Sequence, residues 1–283
     1  MDAVILLNKP AGMTSFDAVR ACRRIYHEKK TGHTGTLDPN ATGLMIVLLG
    51  RYTKLVPYCL SDHKKYKAEF RMGIRTDTED IWGEQIESRK PQKEYTDAEL
   101  AQAAVPFTGD ILQVPPMYSA LKKDGKKLYE YARKGQIVER EPRKVTVNRL
   151  EVHHLHDDLY SMDAQVSSGT YVRTLIADYC ASFGEIGTMT SLVRYGIDKL
   201  SLSDACTLEE LKAGKESFLS PLKVIDPSWK LVACRMPEMV KSGRHVYLKN
   251  ETSDKVIFVK DGQLLAAYRK EEDDMYHCVR GLL

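Results

Sequence analysis

From Gly32 to Gly43 the chain reads Gly-His-Thr-Gly-Thr-Leu-Asp-Pro-Asn-Ala-Thr-Gly, and Asp38 is the only carboxylate between Glu28 and Asp62. Glycines and small threonines let a ligand approach the backbone closely. The segment is no Walker loop, because no Lys-Ser or Lys-Thr follows its last Gly at the required offset. Asp38 therefore has two readings: an ordinary turn starter before Pro39, or a catalytic carboxylate. A second segment, Ser167-Ser168-Gly169-Thr170-Tyr171-Val172-Arg173, lies at a strand-to-helix turn. Arg173 near a helix start is oddly placed, since cations favour helix C-termini. A buried anionic partner would explain it; an exposed arginine is the plain alternative. A third segment, Arg75-Thr76-Asp77-Thr78-Glu79-Asp80-Ile81-Trp82-Gly83, carries three acids without the EF-hand spacing, which favours a hydrogen-bonded turn over a cation site. His153, His154 and His156 have no partnering Cys, and on a strand only the latter two share a face, so no metal is expected there.

Several elements must position these groups. Ala3 to Leu7 predicts a buried strand broken by Asn8-Lys9-Pro10-Ala11-Gly12, and Thr14 or Ser15 can cap a helix with Phe16, Val19 and Cys22 on one face. Thr31 to Gly43 reads as a loop, and Leu44 to Leu49 as a buried strand or short helix. Tyr66, Ala68, Phe70 and Met72 alternate with Lys67, Glu69 and Arg71, as do Tyr160, Met162, Ala164 and Val166 with Ser161, Asp163 and Gln165; both read as half-buried strands. Val145 and Val147 suggest a third, while Asp97 to Ala104 and Tyr171 to Phe183 look helical. No βαβ beat and no Gly-x-Gly-x-x-Gly follow, so a dinucleotide fold is excluded in favour of an α+β fold, a mixed, largely antiparallel central sheet with surrounding helices.

The 283 residues suffice for a real core, and apolar content of 43% with 29% charged residues marks a soluble globular chain. No apolar run approaches the roughly 20 residues that span a bilayer, and the first residues lack a secretory pattern. Six scattered cysteines without a CxxC pair argue against zinc, redox and disulfide roles and fit a reducing cytoplasm. Net charge is +3, but residues 115–149 carry ten Lys or Arg against four acids, residues 20–30 five against one, and residues 77–114 three against nine. Such segregation suits a polyanion on one face, or else solvated helix faces. Residues 115–143, opened by Pro115-Pro116 and closed at Pro142, read as an inserted basic arm with Tyr118, Tyr129 and Tyr131. A second boundary is expected near 221–235, and the short apolar pulses beyond it suggest a small β-barrel-like module.

In their order, these segments resemble the TruB family of bacterial tRNA pseudouridine-55 synthases. Leu6-Leu7-Asn8-Lys9-Pro10-Ala11-Gly12-Met13-Thr14-Ser15 resembles the family's first motif, and the Gly32–Gly43 segment its second. Lys65-Tyr66-Lys67, Arg75-Thr76-Asp77-Thr78, Pro116-Met117-Tyr118-Ser119-Ala120-Leu121-Lys122 and Gly169-Thr170-Tyr171-Val172-Arg173 are similar to further signatures. The resemblance runs from about residue 3 to 225 and implies a catalytic domain over 1–225, with the tail, 226–283, more weakly similar to the family's RNA-binding PUA module. Val193 stands where the family commonly shows a second basic residue, and Arg51-Tyr52-Thr53-Lys54 differs slightly from the usual Ala-Thr-Lys ending.

The resemblance implies isomerisation of one T-loop uridine in tRNA, with Asp38 as nucleophile at the ribose C1′ and Arg173 as its partner. Tyr66 would stack on the flipped uracil and serve as a base. His33 would fill the vacated place in the loop stack, Tyr171 would line the site and Leu192 would pack on the uracil, with Lys9 from the first motif among the substrate-binding residues. The reaction breaks C1′–N1, turns the base over and joins C1′ to C5. It is redox-neutral and adds no group, so no cofactor and no metal are expected; the expected partner is the T arm of tRNA, met by a monomer with no membrane contact. Asp38 must be ionised throughout, and a neighbouring Arg⁺ lowers a carboxyl pKa by roughly 1–3 units against the effect of burial.

Overall fold

The apolar run at Leu44–Leu49, assignable by pattern to strand or helix, is the strand Thr42–Leu49 in this computed structural model, which describes all 283 residues. Ala3–Lys9 pairs with it antiparallel from Ala3↔Leu49 to Lys9↔Gly43, and Thr31–Thr34 also pairs with it, His33 facing Val47. A strand with neighbours on its edges and cover on its faces is apolar throughout, which is why Thr42–Leu49 shows no alternation. Two expectations are corrected here. The first strand continues through Asn8 and Lys9, and Thr31–Thr34 is strand rather than loop. Both short polar stretches gain ladder hydrogen bonds from the apolar strand, a benefit invisible to local pattern.

The chain divides into two compact units, Met1–Ser61 with Leu200–Leu283, and Asp62–Lys199. In the first unit the helix Ser15–Ile25 starts at Thr14, whose Oγ1 accepts from the Asp17 amide at 3.0 Å while the Thr14 amide donates back to the Asp17 carboxylate at 3.3 Å. Val19 and Cys22 are buried as expected, but Phe16 is 65% exposed, with the Arg20 guanidinium 5.7 Å above its ring. The tail builds a five-stranded sheet. Lys230–Ala233 runs parallel to Lys255–Lys260, followed by antiparallel Gln263–Lys270, Met275–Gly281 and Val246–Tyr247. Val240, Val246, Val256, Phe258, Leu265, Tyr268 and Tyr276 form its own core. The hairpin at Lys260↔Gln263 turns on Asp261-Gly262, both at positive φ (50° and 75°), the pairing that a two-residue turn of this hand demands.

In the second unit all strands are antiparallel. His63–Met72 lies between Leu159–Ser167 and Gly187–Ile197; Arg143–His156 pairs with Leu159–Ser167, and Gly109–Gln113 pairs outside that. The helices Asp97–Ala104 and Val172–Ser182 supply the cover. Tyr179 sets its ring edge-on to Phe70 and Phe183 and donates its hydroxyl to the Leu100 carbonyl at 2.9 Å. Gly187 allows that helix to lie close, since a Cβ there would sit 2.4 Å from Cys180 Sγ. The arm, residues 115–143, carries the two-residue ribbon Lys122–Lys123 and Lys126–Lys127 around an Asp124-Gly125 turn, then the short helix Leu128–Ala132. Its basic residues stack on its own aromatics, with Lys127 and Arg133 5.4 and 5.3 Å from the Tyr129 ring. Helices surrounding largely antiparallel sheets are the α+β class expected from the patterning.

Candidate active site

The Asp38 loop is fastened on both sides of the carboxylate. Ser15 Oγ accepts the Leu37 amide at 2.8 Å and donates to the Leu37 carbonyl at 3.0 Å. Lys9, fully buried at the end of its strand, donates its ammonium to the carbonyls of Pro10 (2.9 Å), Met13 (2.8 Å) and Pro39 (3.0 Å). A buried ammonium needs this number of acceptors to offset lost hydration, so Lys9 clamps the loop from beneath. The Asp38 carbonyl accepts the Ala41 amide at 3.1 Å, closing a turn at Asp38-Pro39. The turn-starter reading and the reactive-carboxylate reading are thus compatible: the turn presents a half-buried side chain on a backbone held at both neighbours. His33 is half-buried on the adjoining Thr31–Thr34 strand.

The second unit carries the other candidates. Tyr66 pairs across the sheet with Arg194 and Ala68 with Leu192, so Tyr66, Leu192 and Arg194 share one face. Phe70 extends that face and meets Tyr179, which places the helix Val172–Ser182, with Arg173 in its first turn, on the same side. Tyr171 immediately precedes the helix, its amide given to Gln113 Oε1 at 2.8 Å and its carbonyl taking Gln113 Nε2 at 3.1 Å. Sequence reading had no role for Arg194, which is fully buried. Its signal is a charged residue at an inward phase of the alternating strand Gly187–Ile197.

Lys64 occupies an inward phase too and is buried, with its ammonium 3.1 Å from Ser168 Oγ. Burial, reinforced by the positive charge of Arg194, lowers its amine from the ordinary 10.5 to about 8. Between those values the unfolded chain binds a proton that the folded chain lacks, so stability rises with pH across that window, by at most about 1.4 kcal/mol per pH unit. Lys64→Met is expected to stabilise the fold at pH 7 and to flatten the rise. Urea unfolding at pH 7 and pH 9.5 checks this, and an unchanged pH slope refutes it.

Arg173 is 4% exposed and does have a carboxylate beside it. Its Nη1 lies 3.7 Å from Asp80 Oδ2 and donates to the Thr78 carbonyl at 2.5 Å, while Nη2 donates to the Tyr118 carbonyl at 3.0 Å. The Arg75–Gly83 segment is the hydrogen-bonded turn expected: Thr78 Oγ1 donates to Asp80 Oδ1 at 2.7 Å and Thr76 Oγ1 to the Asp80 carbonyl at 2.7 Å. Next to it Glu79, at φ 64°, accepts from Thr174 Oγ1 at 2.6 Å, and burial raises its carboxyl despite that bond and the Arg173 charge. What sequence reading missed is that this turn wraps the arginine. His153, His154 and His156 pair instead with Asp97, Glu94 and Asp157, and no group of three or more His, Cys, Asp or Glu side chains is placed to hold a metal ion. No helix is long and apolar enough to cross a membrane.

The sequence model described as TruB family pseudouridylate synthase (N terminal domain) matches residues 23–172, more than half of the chain. This chain belongs to the TruB family of pseudouridylate synthases. Among its relatives, the tRNA pseudouridine synthase B of Alkaliphilus oremlandii is 39% identical over 278 residues, covering 96% of this chain and 91% of that protein. The tRNA pseudouridine synthase B of Caldanaerobacter subterraneus subsp. tengcongensis is 45% identical over 221 residues, 76% of this chain and 75% of that one. In fold, the chain is similar to one from the crystal structure of a Cbf5-Nop10-Gar1 complex, with a TM-score of 0.72 at 20% identity, covering 99% of this chain and 85% of that one. The TruB match contains Asp38, Tyr66 and Tyr171, and Arg173 follows its last residue directly. As a pseudouridine synthase this enzyme is an isomerase.

Proposed function

We propose that this enzyme converts uridine 55 in the T loop of tRNA to pseudouridine, with Asp38 acting at the ribose C1′. The observation that carries the reading is the likeness, over 96% of the chain, to an enzyme named for tRNA pseudouridine synthesis. The C1′–N1 bond breaks, the uracil turns over, and C5 takes the place of N1 on C1′; the proton displaced from C5 is balanced by the one gained at N1. The base must first leave its stack, at a cost of a few kcal/mol. Stacking on Tyr66, about 1–3 kcal/mol per base, and insertion of His33 into the gap offset that cost, while Tyr171 and Leu192 bound the uracil. Lys9 serves the substrate through the loop it clamps. Arg173 favours the ionised form of Asp38. No cofactor or metal enters.

In this reading residues 1–225 are the catalytic domain, with 115–143 as an RNA-contacting arm, and 226–283 are a PUA-like RNA-binding domain. The ten cations of residues 115–149 and the separate core of the tail sheet support it. The enzyme works as a monomer in the cytoplasm. The test is to incubate an unmodified tRNA transcript, and separately its T-arm stem-loop, with the protein and a chelator, then tag pseudouridine chemically and map it. One tagged T-loop uridine in both RNAs is expected. Tagging only outside the T loop, or only in another RNA, overturns the assignment.

A further inference from the structure

We propose that Tyr118 is a positioning residue for Arg173, latching the base of the basic arm onto the Arg75–Gly83 turn so that the two close together on the guanidinium. The inference rests on Arg173 serving turnover as proposed above.

Two segments far apart in sequence share this guanidinium. The turn supplies the Thr78 carbonyl and the Asp80 carboxylate; the arm supplies the Tyr118 carbonyl at 3.0 Å. A carbonyl holds an arginine only where its backbone is held, and Tyr118 provides that hold with its own side chain. Its hydroxyl donates to Asp77 Oδ2 at 2.9 Å. Asp77 is in turn built into the turn, its Oδ1 accepting the Glu84 amide at 2.7 Å and its amide donating to the Glu84 carbonyl at 3.0 Å. One carboxylate thus closes the turn with one oxygen and anchors the arm with the other. On the arm side, Ser119 is buried and its carbonyl accepts the Tyr129 amide at 3.2 Å, tying the Tyr118 backbone to the arm's helix. The Asp77 bond also pushes the Tyr118 phenol up from its ordinary value, as expected for a hydroxyl that gives its proton to a carboxylate. The arm therefore meets Arg173 through the Tyr118 carbonyl, and the Tyr118 phenol ties that residue to the turn.

A latch of this kind differs from simple glue in what it changes. Tyr118→Phe keeps the ring and removes only the hydroxyl. It is expected to lower the single-turnover rate constant at saturating enzyme about tenfold, the scale of one hydrogen bond to a charged acceptor, and to leave the dissociation constant for tRNA within about twofold. Asp77→Ala is expected to do the same, Asp77→Asn to restore most of the rate because its amide still bonds the phenol, and Tyr118→Phe with Asp77→Ala together to lose no more than either alone. An unchanged rate constant with weakened binding overturns the proposal, as does a double variant whose losses multiply. If Asp77→Ala fails to fold, Tyr118→Phe against the wild type decides. Asp38→Asn run in parallel separates the two readings: if it retains turnover, the assignment of the site fails, and if it is inactive while Tyr118→Phe matches the wild type, only the latch fails.

Discussion

Asp38→Asn is expected to lower pseudouridine formation by about a thousandfold or more, on the order of what removing a nucleophile costs an enzyme, with tRNA still bound. The substitution keeps the size of the side chain, and other groups hold the backbone on both sides of it. Leu37 is held by Ser15, Pro39 by Lys9, and the turn is closed by the Asp38 carbonyl. Circular dichroism of the variant, run alongside, separates loss of activity from loss of fold. An amide is too weak a nucleophile to attack C1′ and carries no charge to stabilise a cation there, so in the proposed role either route through Asp38 would stop. The measurement is single-turnover conversion of a tRNA transcript with filter binding alongside. A residual rate within tenfold of the wild type would falsify the assignment of Asp38.

Arg173→Ala should impair turnover far more than binding, by about a hundredfold or more, and should also destabilise the fold. The side chain is nearly inaccessible, and its removal takes the guanidinium from the Thr78 and Tyr118 carbonyls and from the Asp80 carboxylate. Breaking a buried ion pair from one side costs about 3–5 kcal/mol. Asp80 keeps bonds from Thr78 Oγ1 and the Trp82 amide, so the lower end of that range is expected. Arg173→Lys should not rescue the rate, because a compact ammonium cannot reach two carbonyls and a carboxylate as a planar fork does. The comparison is of kcat with the dissociation constant for tRNA, at a temperature where circular dichroism shows each variant folded. Equal losses in both would make Arg173 a phosphate contact and remove it from the chemistry.

What could be read locally was decided by local physics. Alternation from Tyr66 to Met72 and from Tyr160 to Val166 fixes two strands and their inward faces, because a pleated strand in a half-buried sheet repeats every second residue. Thr14 caps its helix through bonds to a residue three positions on. The order of motifs sufficed for the family. Tertiary structure decided whatever depended on partners distant in sequence. Thr31–Thr34 becomes strand because the Thr42–Leu49 strand offers it a ladder, and Phe16 is left exposed although its spacing matches Val19 and Cys22. Arg173 is the clearest case. Its helix start argues against a cation, yet its acceptors arrive from positions 95 and 55 residues earlier, and no nearest-neighbour pattern encodes that meeting. Residue types and spacing thus name the candidates and the elements that carry them, because those depend on backbone preferences over a few residues. Which buried charge finds which carbonyl depends on desolvation balanced across the fold, and only the folded chain determines it.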